Sequence, residues 1–158
     1  MALYFKLEEF TYSDTAKALG IDNTPPKDVR FNIAQLINFL DDLRSEWAIK
    51  LMTDDVISDF NKGGLVIKSG YRCPKLNKAV GGKATSAHLT GFAADIKPIK
   101  GTVPQFYNFF KEWLEKNNYA FDELIQETKG KTQWVHFALY SINGEQRKKV
   151  LKLKKTVQ

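Results

Sequence analysis

The sequence predicts an α+β fold, with a small antiparallel sheet flanked by two main helices. Apolar residues recur at helical spacing in two long stretches, and they alternate or cluster at strand spacing in four shorter ones. The predicted order of helix, strand, loop, strand, helix and hairpin is typical of α+β domains. The chain has 158 residues and no linker-like stretch, so we expect a single domain over residues 1–158.

Residues 1–26 are predicted to be a packing segment with one short helix. Ser13 or Asp14 can cap the start of this helix, and Gly20 can end it in the left-handed conformation. The pair Pro25-Pro26 then breaks the chain before the first main helix begins.

The two main helices are predicted from their apolar stripes. The first extends from about Val29 to Lys50, and the second begins near Thr102 and ends at Asn117-Asn118. Each helix therefore has one face to bury. The stripe residues are Ile33, Leu36, Ile37, Leu40, Leu43 and Trp47 in the first helix, and Phe106, Phe109, Phe110, Trp113 and Leu114 in the second.

Two short strands are predicted on either side of a loop of small residues. Leu65 to Lys68 is a short β-branched run, and Phe92 to Ile96 alternates between two faces. This alternation places Asp95 on the face opposite the apolar ends of its strand. Gly81 to Thr85 is too small and flexible for a core element, so we predict a loop at a functional site there.

The other two strands are predicted to form a hairpin. Phe121 to Glu127 and Gln133 to Tyr140 are strand-like, and the short connection between them contains a glycine. Antiparallel pairing would place His136 near the centre of the sheet and Glu127 close to the turn.

Composition limits the expected surroundings of the protein. The chain is 43% hydrophobic and 13% aromatic, which is typical of globular proteins. No apolar run approaches the roughly 20 residues that span a bilayer, so we expect no membrane partner. The first residues lack the pattern of a secretory signal, so we expect a cytoplasmic product that acts on the cell wall if it is released. Cys73 is the only cysteine, which excludes an intrachain disulfide.

The net charge of +6 favours an anionic partner. Nucleic acid is one candidate and the anionic bacterial cell wall is another. Much of the excess charge lies in a basic C-terminal tail, about residues 145–158, for which a solvated tail is the alternative interpretation. The sequence has no nucleic-acid-binding motif and no basic residues interleaved with stacking aromatics, so we expect no nucleic-acid partner.

Two histidines and one aspartate form the candidate functional set. His88 and Asp95 lie in the motif Ser86-x-His88-x-x-Gly91-x-Ala93-x-Asp95, and the second histidine, His136, lies in an apolar run. Two imidazoles and one carboxylate are the ligand set of a catalytic zinc site with a fourth position left for water. A single histidine in a strand is more often a hydrogen-bonded core or surface residue. Here, however, small neighbours keep a cavity open.

This motif resembles that of the zinc D-Ala-D-Ala carboxypeptidase family. The preceding Ser69-Gly70-Tyr71-Arg72 and the following Trp134-Val135-His136 extend the resemblance, which covers about Val29 to Tyr140. The family includes D-Ala-D-Ala dipeptidases and phage L-alanyl-D-glutamate endolysins, and it shares a metal fold with the hedgehog signalling domain. The resemblance implies a zinc peptidase that hydrolyses peptidoglycan stem peptides, as a carboxypeptidase or an endopeptidase. We expect the protein to be a monomer. A phage or prophage lysis enzyme is the expected origin.

The resemblance also implies roles for individual residues. The implied zinc ligands are His88, Asp95 and His136. Arg72 would bind a substrate carboxylate or carbonyl and stabilise the oxyanion, and a structural salt bridge is its alternative. Ser86 would bind substrate or cap the loop. Tyr71 and Trp134 would line the cleft or belong to the core.

The general base departs from the family pattern. Relatives commonly carry an acid or a histidine three residues before the second metal histidine, where this chain has Gln133, which cannot accept a proton. Glu127 is the predicted base because the hairpin places it across from this region. Its alternative is a salt bridge with a lysine such as Lys129 or Lys131, and Glu123 and Asp122 are weaker candidates for the base. Without a base, the protein would be a non-catalytic zinc-containing domain that binds cell-wall peptides.

Overall fold

The computed structural model describes residues 3–156 and confirms the α+β prediction. The helices are α1 (Asp14–Leu19), α2 (Lys27–Thr53), α3 (Pro74–Ala79) and α4 (Val103–Lys116). The strands are β1 (Leu65–Ser69), β2 (Ala93–Pro98), β3 (Glu123–Lys129), β4 (Thr132–Ala138) and β5 (Lys149–Lys155). Short 3₁₀ turns lie at Leu7–Phe10, Phe60–Lys62 and Ala87–Thr90. Over residues 3–156, no helix is long and apolar enough to cross a membrane.

The five strands form one sheet in the order β1-β2-β4-β3-β5. Strand β4 is central, as predicted for the strand that carries His136. The neighbouring strands are antiparallel except for β5, which pairs parallel to β3 along its whole length. The sheet is therefore mixed rather than purely antiparallel, and part of the predicted basic tail is its edge strand. The Tyr107 hydroxyl on α4 donates to the Leu151 carbonyl at 3.1 Å and ties β5 to the helical layer.

The two main helices cover one face of the sheet. The predicted stripes are buried there, except for Phe109, which packs on the edge of the core. Ile96, Leu124 and Phe137 face the helices from β2, β3 and β4. Phe39 of α2 stacks on Phe137 with ring centroids 5.2 Å apart, which locks the helix against the central strand. On the opposite face, the 3₁₀ turn Ala87–Thr90 packs against β2.

The short helix α1 begins and ends as the sequence predicts. The Ser13 hydroxyl accepts a hydrogen bond from the Ala16 backbone N–H at 3.2 Å, so Ser13 rather than Asp14 is the N-cap. Gly20 ends the helix in the left-handed conformation with φ = 65°. Together these caps fix the packing segment that precedes α2.

A buried ion pair anchors the chain that enters β5. The Asp122 side chain is 0% exposed, and its carboxylate accepts from Arg147 Nε at 2.8 Å, Arg147 Nη2 at 2.9 Å and the Arg147 backbone N–H at 3.1 Å. We expect Arg147→Met to lower the free energy of unfolding, because the buried Asp122 carboxylate then keeps only the backbone N–H of residue 147 as a donor. Urea unfolding at neutral pH measures this loss, and Lys154→Met is the matched control.

The same pair predicts a pH dependence. Burial alone would raise the pKa of Asp122, but the hydrogen bonds and charge of Arg147 outweigh it and hold the pKa below its ordinary value. The stabilisation is therefore complete above the unfolded-state pKa of about 3.9 and is lost as pH falls through the lowered pKa of the fold. The difference between wild type and Arg147→Met should shrink below about pH 4. An equal difference at pH 3 and pH 7 would contradict the assignment.

Candidate metal centre

The three predicted ligands converge on the side of the sheet opposite α2 and α4. His88 lies on the 3₁₀ turn Ala87–Thr90, Asp95 lies in β2, and His136 lies opposite Asp95 in β4. One ligand atom from each residue lies within 4.8 Å of the others. The fold therefore brings together side chains that are far apart in the sequence.

Asp95 is the centre of this group. Its Oδ1 atom lies 3.0 Å from His136 Nδ1 and 3.4 Å from His88 Nε2. The two imidazole rings are tilted, with centroids 5.2 Å apart. These three atoms face one another, which is the arrangement that a single cation would need.

A hydrogen bond from the ring nitrogen that faces away from Asp95 fixes the orientation of His88. Its Nδ1 atom lies 2.7 Å from the Gly70 carbonyl oxygen, so Nδ1–H donates to that carbonyl and the Nε2 lone pair faces Asp95. This outer hydrogen bond is the one that metal-binding histidines usually make. Ser86 caps the same turn by accepting from the His88 backbone N–H at 3.2 Å. The turn ends at Gly91, whose φ of 82° suits glycine and brings the chain back into β2.

The charges of the group are strongly coupled. Burial alone would raise the pKa of Asp95, but the two histidines outweigh it and hold that pKa well below its ordinary range. Burial alone would lower the pKa of His136, but contacts with Asp95 and Glu123 raise it to about 10. Burial lowers the pKa of His88. Asp95 and Glu123 thus favour the protonated form of His136 when no metal is bound, and a cation that binds through this imidazole displaces that proton.

The donor set fits zinc. Two imidazole nitrogens and one carboxylate oxygen are the ligands of many catalytic zinc sites, which leave a position open. Three small buried residues, Ala87, Ala93 and Ala138, pack together beside these ligands. Their short side chains leave space for an ion. His88, Asp95 and His136 are therefore the residues that would hold the ion.

Glu123 lies behind His136. Its Oε1 atom is 3.7 Å from His136 Nε2, an ion-pair distance rather than a hydrogen bond, and its Oε2 is 3.9 Å from Lys149 Nζ. This carboxylate faces the imidazole nitrogen that is turned away from Asp95. Glu123, considered in the sequence as a weaker candidate for the base, is thus placed to orient a ligand instead.

Removing this carboxylate should weaken metal binding. We expect Glu123→Ala to lower zinc affinity roughly 10-fold, because outer partners fix the ring orientation and basicity of a ligating histidine. Competition with a chromophoric chelator measures the affinity. Glu115→Ala, at an exposed position on α4, is the control. Equal affinities for the two variants would show that Glu123 does not act on His136.

Arg72 lies beside the candidate metal centre and has an N–H donor that makes no hydrogen bond within the described part of the chain. Its Nη2 atom is 3.5 Å from the Ser86 hydroxyl, and its buried Nε has no partner among residues 3–156. Burial lowers the pKa of Arg72, against the charges of Asp95 and Glu127, which raise it. The alternative structural salt bridge is not formed within the described part of the chain, so the guanidinium remains available to a ligand.

The positions of the two main cavities match the position of the candidate metal centre only in part. One of about 290 Å³ is bordered by Arg72, Lys68 and Ser69. A larger one of about 580 Å³ lies between α2 and α4 and contains none of the predicted site residues. Neither cavity is lined by His88, Asp95 or His136, so we place the functional centre by the convergence of these three donors rather than by cavity volume.

Two of the predicted substrate contacts have structural roles. Tyr71 is 5% exposed and packs in the main core, and its backbone N–H donates to the Phe10 carbonyl oxygen at 2.6 Å. Tyr71 also borders the 290 Å³ cavity beside Arg72, so its place in the core is compatible with the predicted contact with substrate. Ser86 caps the turn of His88 and also contacts Arg72, so it is close enough to the centre for either role.

Glu127 and Trp134 lie opposite each other on β3 and β4. Trp134 Nε1 donates to Glu127 Oε2 at 2.6 Å, and both side chains share the face of His136. Glu127 is 8% exposed. Its lysine partner is Lys155 of β5, at 3.2 Å, and not a lysine of the hairpin turn. The charge of Glu127 is one of those that raise the pKa of His136.

Gln133 lies on the other side of the hairpin. Residues three apart in a strand face opposite sides of the sheet, so Gln133 points away from the face of His136. Its Nε2 donates to the Thr128 hydroxyl at 3.2 Å. The residue type at this position therefore does not decide whether the centre has a base.

An α+β domain with a His–Asp–His group beside an arginine has the features of a zinc peptidase. The sequence model of the family described as Peptidase M15 matches residues 3–138. The chain belongs to this family of zinc D-Ala-D-Ala carboxypeptidase-like metallopeptidases. No curated protein matches the chain. Strand β5 lies beyond the matched residues.

Proposed function

We propose that this protein hydrolyses peptidoglycan stem peptides, as a carboxypeptidase or an endopeptidase of phage or prophage origin. The observation that carries the proposal is the convergence of His88, Asp95 and His136 in a chain of the M15 family. The net charge of +6 supports an anionic substrate such as the bacterial cell wall.

The residues around the centre suit peptide hydrolysis. When bound, a zinc ion lowers the pKa of water to about 7 and polarises a carbonyl oxygen. Glu127 takes the proton of the attacking water and passes it to the leaving amine. Arg72 donates hydrogen bonds to the peptide carbonyl oxygen as negative charge develops there. Trp134 holds one oxygen of Glu127, which leaves the carboxylate little freedom to turn away.

A non-catalytic zinc-containing domain that binds wall peptides is the alternative. Its main support in the sequence is Gln133, at the place where relatives carry a base. That side chain faces away from the centre and bonds to Thr128. Gln133 therefore does not weigh against catalysis. The experiment with sacculi distinguishes the non-catalytic binding domain from the peptidase.

Purified bacterial sacculi provide the test. We expect the zinc-loaded protein to release free D-alanine if it is a carboxypeptidase, or new amino groups and soluble peptides if it is an endopeptidase. His88→Ala and metal-stripped wild type should release neither, and added zinc should restore only the latter. A wild type that binds zinc and sediments with sacculi but releases no product would reject hydrolysis in favour of the binding domain.

A further inference from the structure

The C-terminal strand brings a lysine to the proposed base. Strand β5 pairs parallel to β3, with Leu153 opposite Glu127 and Lys155 opposite Lys129. Paired residues in a sheet share a face, so the side chain of Lys155 lies on the side of the metal centre. This strand lies beyond residues 3–138, which the family model matches.

Both oxygens of Glu127 are held by donors. Lys155 Nζ lies 3.2 Å from Oε1, and Trp134 Nε1 lies 2.6 Å from Oε2. The same ammonium group lies 5.6 Å from the centroid of the Trp134 ring. The two donors come from opposite neighbours of β3 in the sheet, β4 and β5. Glu127 is therefore clamped between two strands.

We propose that Lys155 is a positioning residue for peptide hydrolysis, which makes β5 a part of the active site. This inference rests on the proposed function, with Glu127 as the base. The Lys155 side chain is 50% exposed, so its ion pair contributes little to stability. Its effect is instead on orientation: it restricts the rotation of a carboxylate that must face the reacting water.

The first experiment compares neutral and conservative substitutions. We expect Lys155→Gln to lower kcat roughly 10-fold, with KM and zinc affinity unchanged, because a small misplacement of a catalytic group costs up to about 100-fold in rate. Lys155→Arg should keep most of the activity, since a guanidinium can donate to the same oxygen. Lys154→Gln is the matched control, because Lys154 is exposed on the other face of the same strand.

A double-mutant cycle with Glu127→Gln tests whether Lys155 acts through this carboxylate. In that background, Lys155→Gln should cause no further loss. An equal loss in both backgrounds would assign a merely structural role, and a rise in activity would show that the ion pair restrains the base. If wild type hydrolyses sacculi and Lys155→Gln has the same kcat as Lys154→Gln, the inference about Lys155 fails while the proposed function stands. If wild type hydrolyses nothing, the proposed function itself fails.

Discussion

Asp95→Asn is expected to weaken zinc binding by more than about 100-fold, beyond the 10–100-fold effect of outer partners, and to reduce hydrolysis to background. Asp95 Oδ1 is the atom that both histidines face, and it supplies the only negative charge in the His–Asp–His set. An amide of the same size keeps the packing but loses this charge. A divalent cation would then replace the His136 proton without an anion to balance it.

Zinc affinity is the direct measurement for this variant, because it does not depend on the substrate. Asp42→Asn, at an exposed position of α2, is the matched control and should bind zinc like wild type. Thermal unfolding without metal shows whether the domain still folds. An Asp95→Asn protein that is folded and binds zinc with wild-type affinity would mean that the cation has other ligands.

The convergence of His88, Asp95 and His136 was predictable because its signal is local. His88 and Asp95 lie in one motif of small residues, and the alternation of β2 already places Asp95 away from the core. The position of His136 follows from the hairpin, whose strands and glycine turn are close in sequence. The apolar stripes of α2 and α4 likewise predicted which face each helix buries.

Strand β5 was missed for the opposite reason. Its partner, β3, is distant in sequence, and a parallel pairing leaves no turn signal between the two strands. Its alternating lysines and aliphatic residues also suit a solvated tail, because many of the side chains remain exposed. The register of β5 decides that Lys155, rather than a turn lysine, meets Glu127. The place of Tyr71 in the core similarly depends on its contact with Phe10 in the distant N-terminal segment.

Glu127→Gln is expected to lower kcat by about 10²–10⁴-fold, the usual contribution of a general acid–base group, with zinc affinity unchanged. Glutamine preserves the shape of the side chain, and its carbonyl oxygen can still accept from Trp134. It cannot take a proton from water, so only the chemical step should suffer. Hydrolysis of sacculi at saturating substrate measures kcat, and chelator competition measures the metal.

A carboxylate placed at position 133 tests whether an acid at the position used by relatives can replace Glu127. In the Glu127→Gln background, Gln133→Glu restores the acid at the place where relatives commonly carry one. We expect no recovery of activity, because this side chain faces Thr128 on the side of the sheet opposite His136. Recovery would show that position 133 reaches the reacting water and that Glu127 is not the base. Without recovery, an acid at the position that relatives use cannot replace Glu127, and the loss in Glu127→Gln stays assigned to position 127.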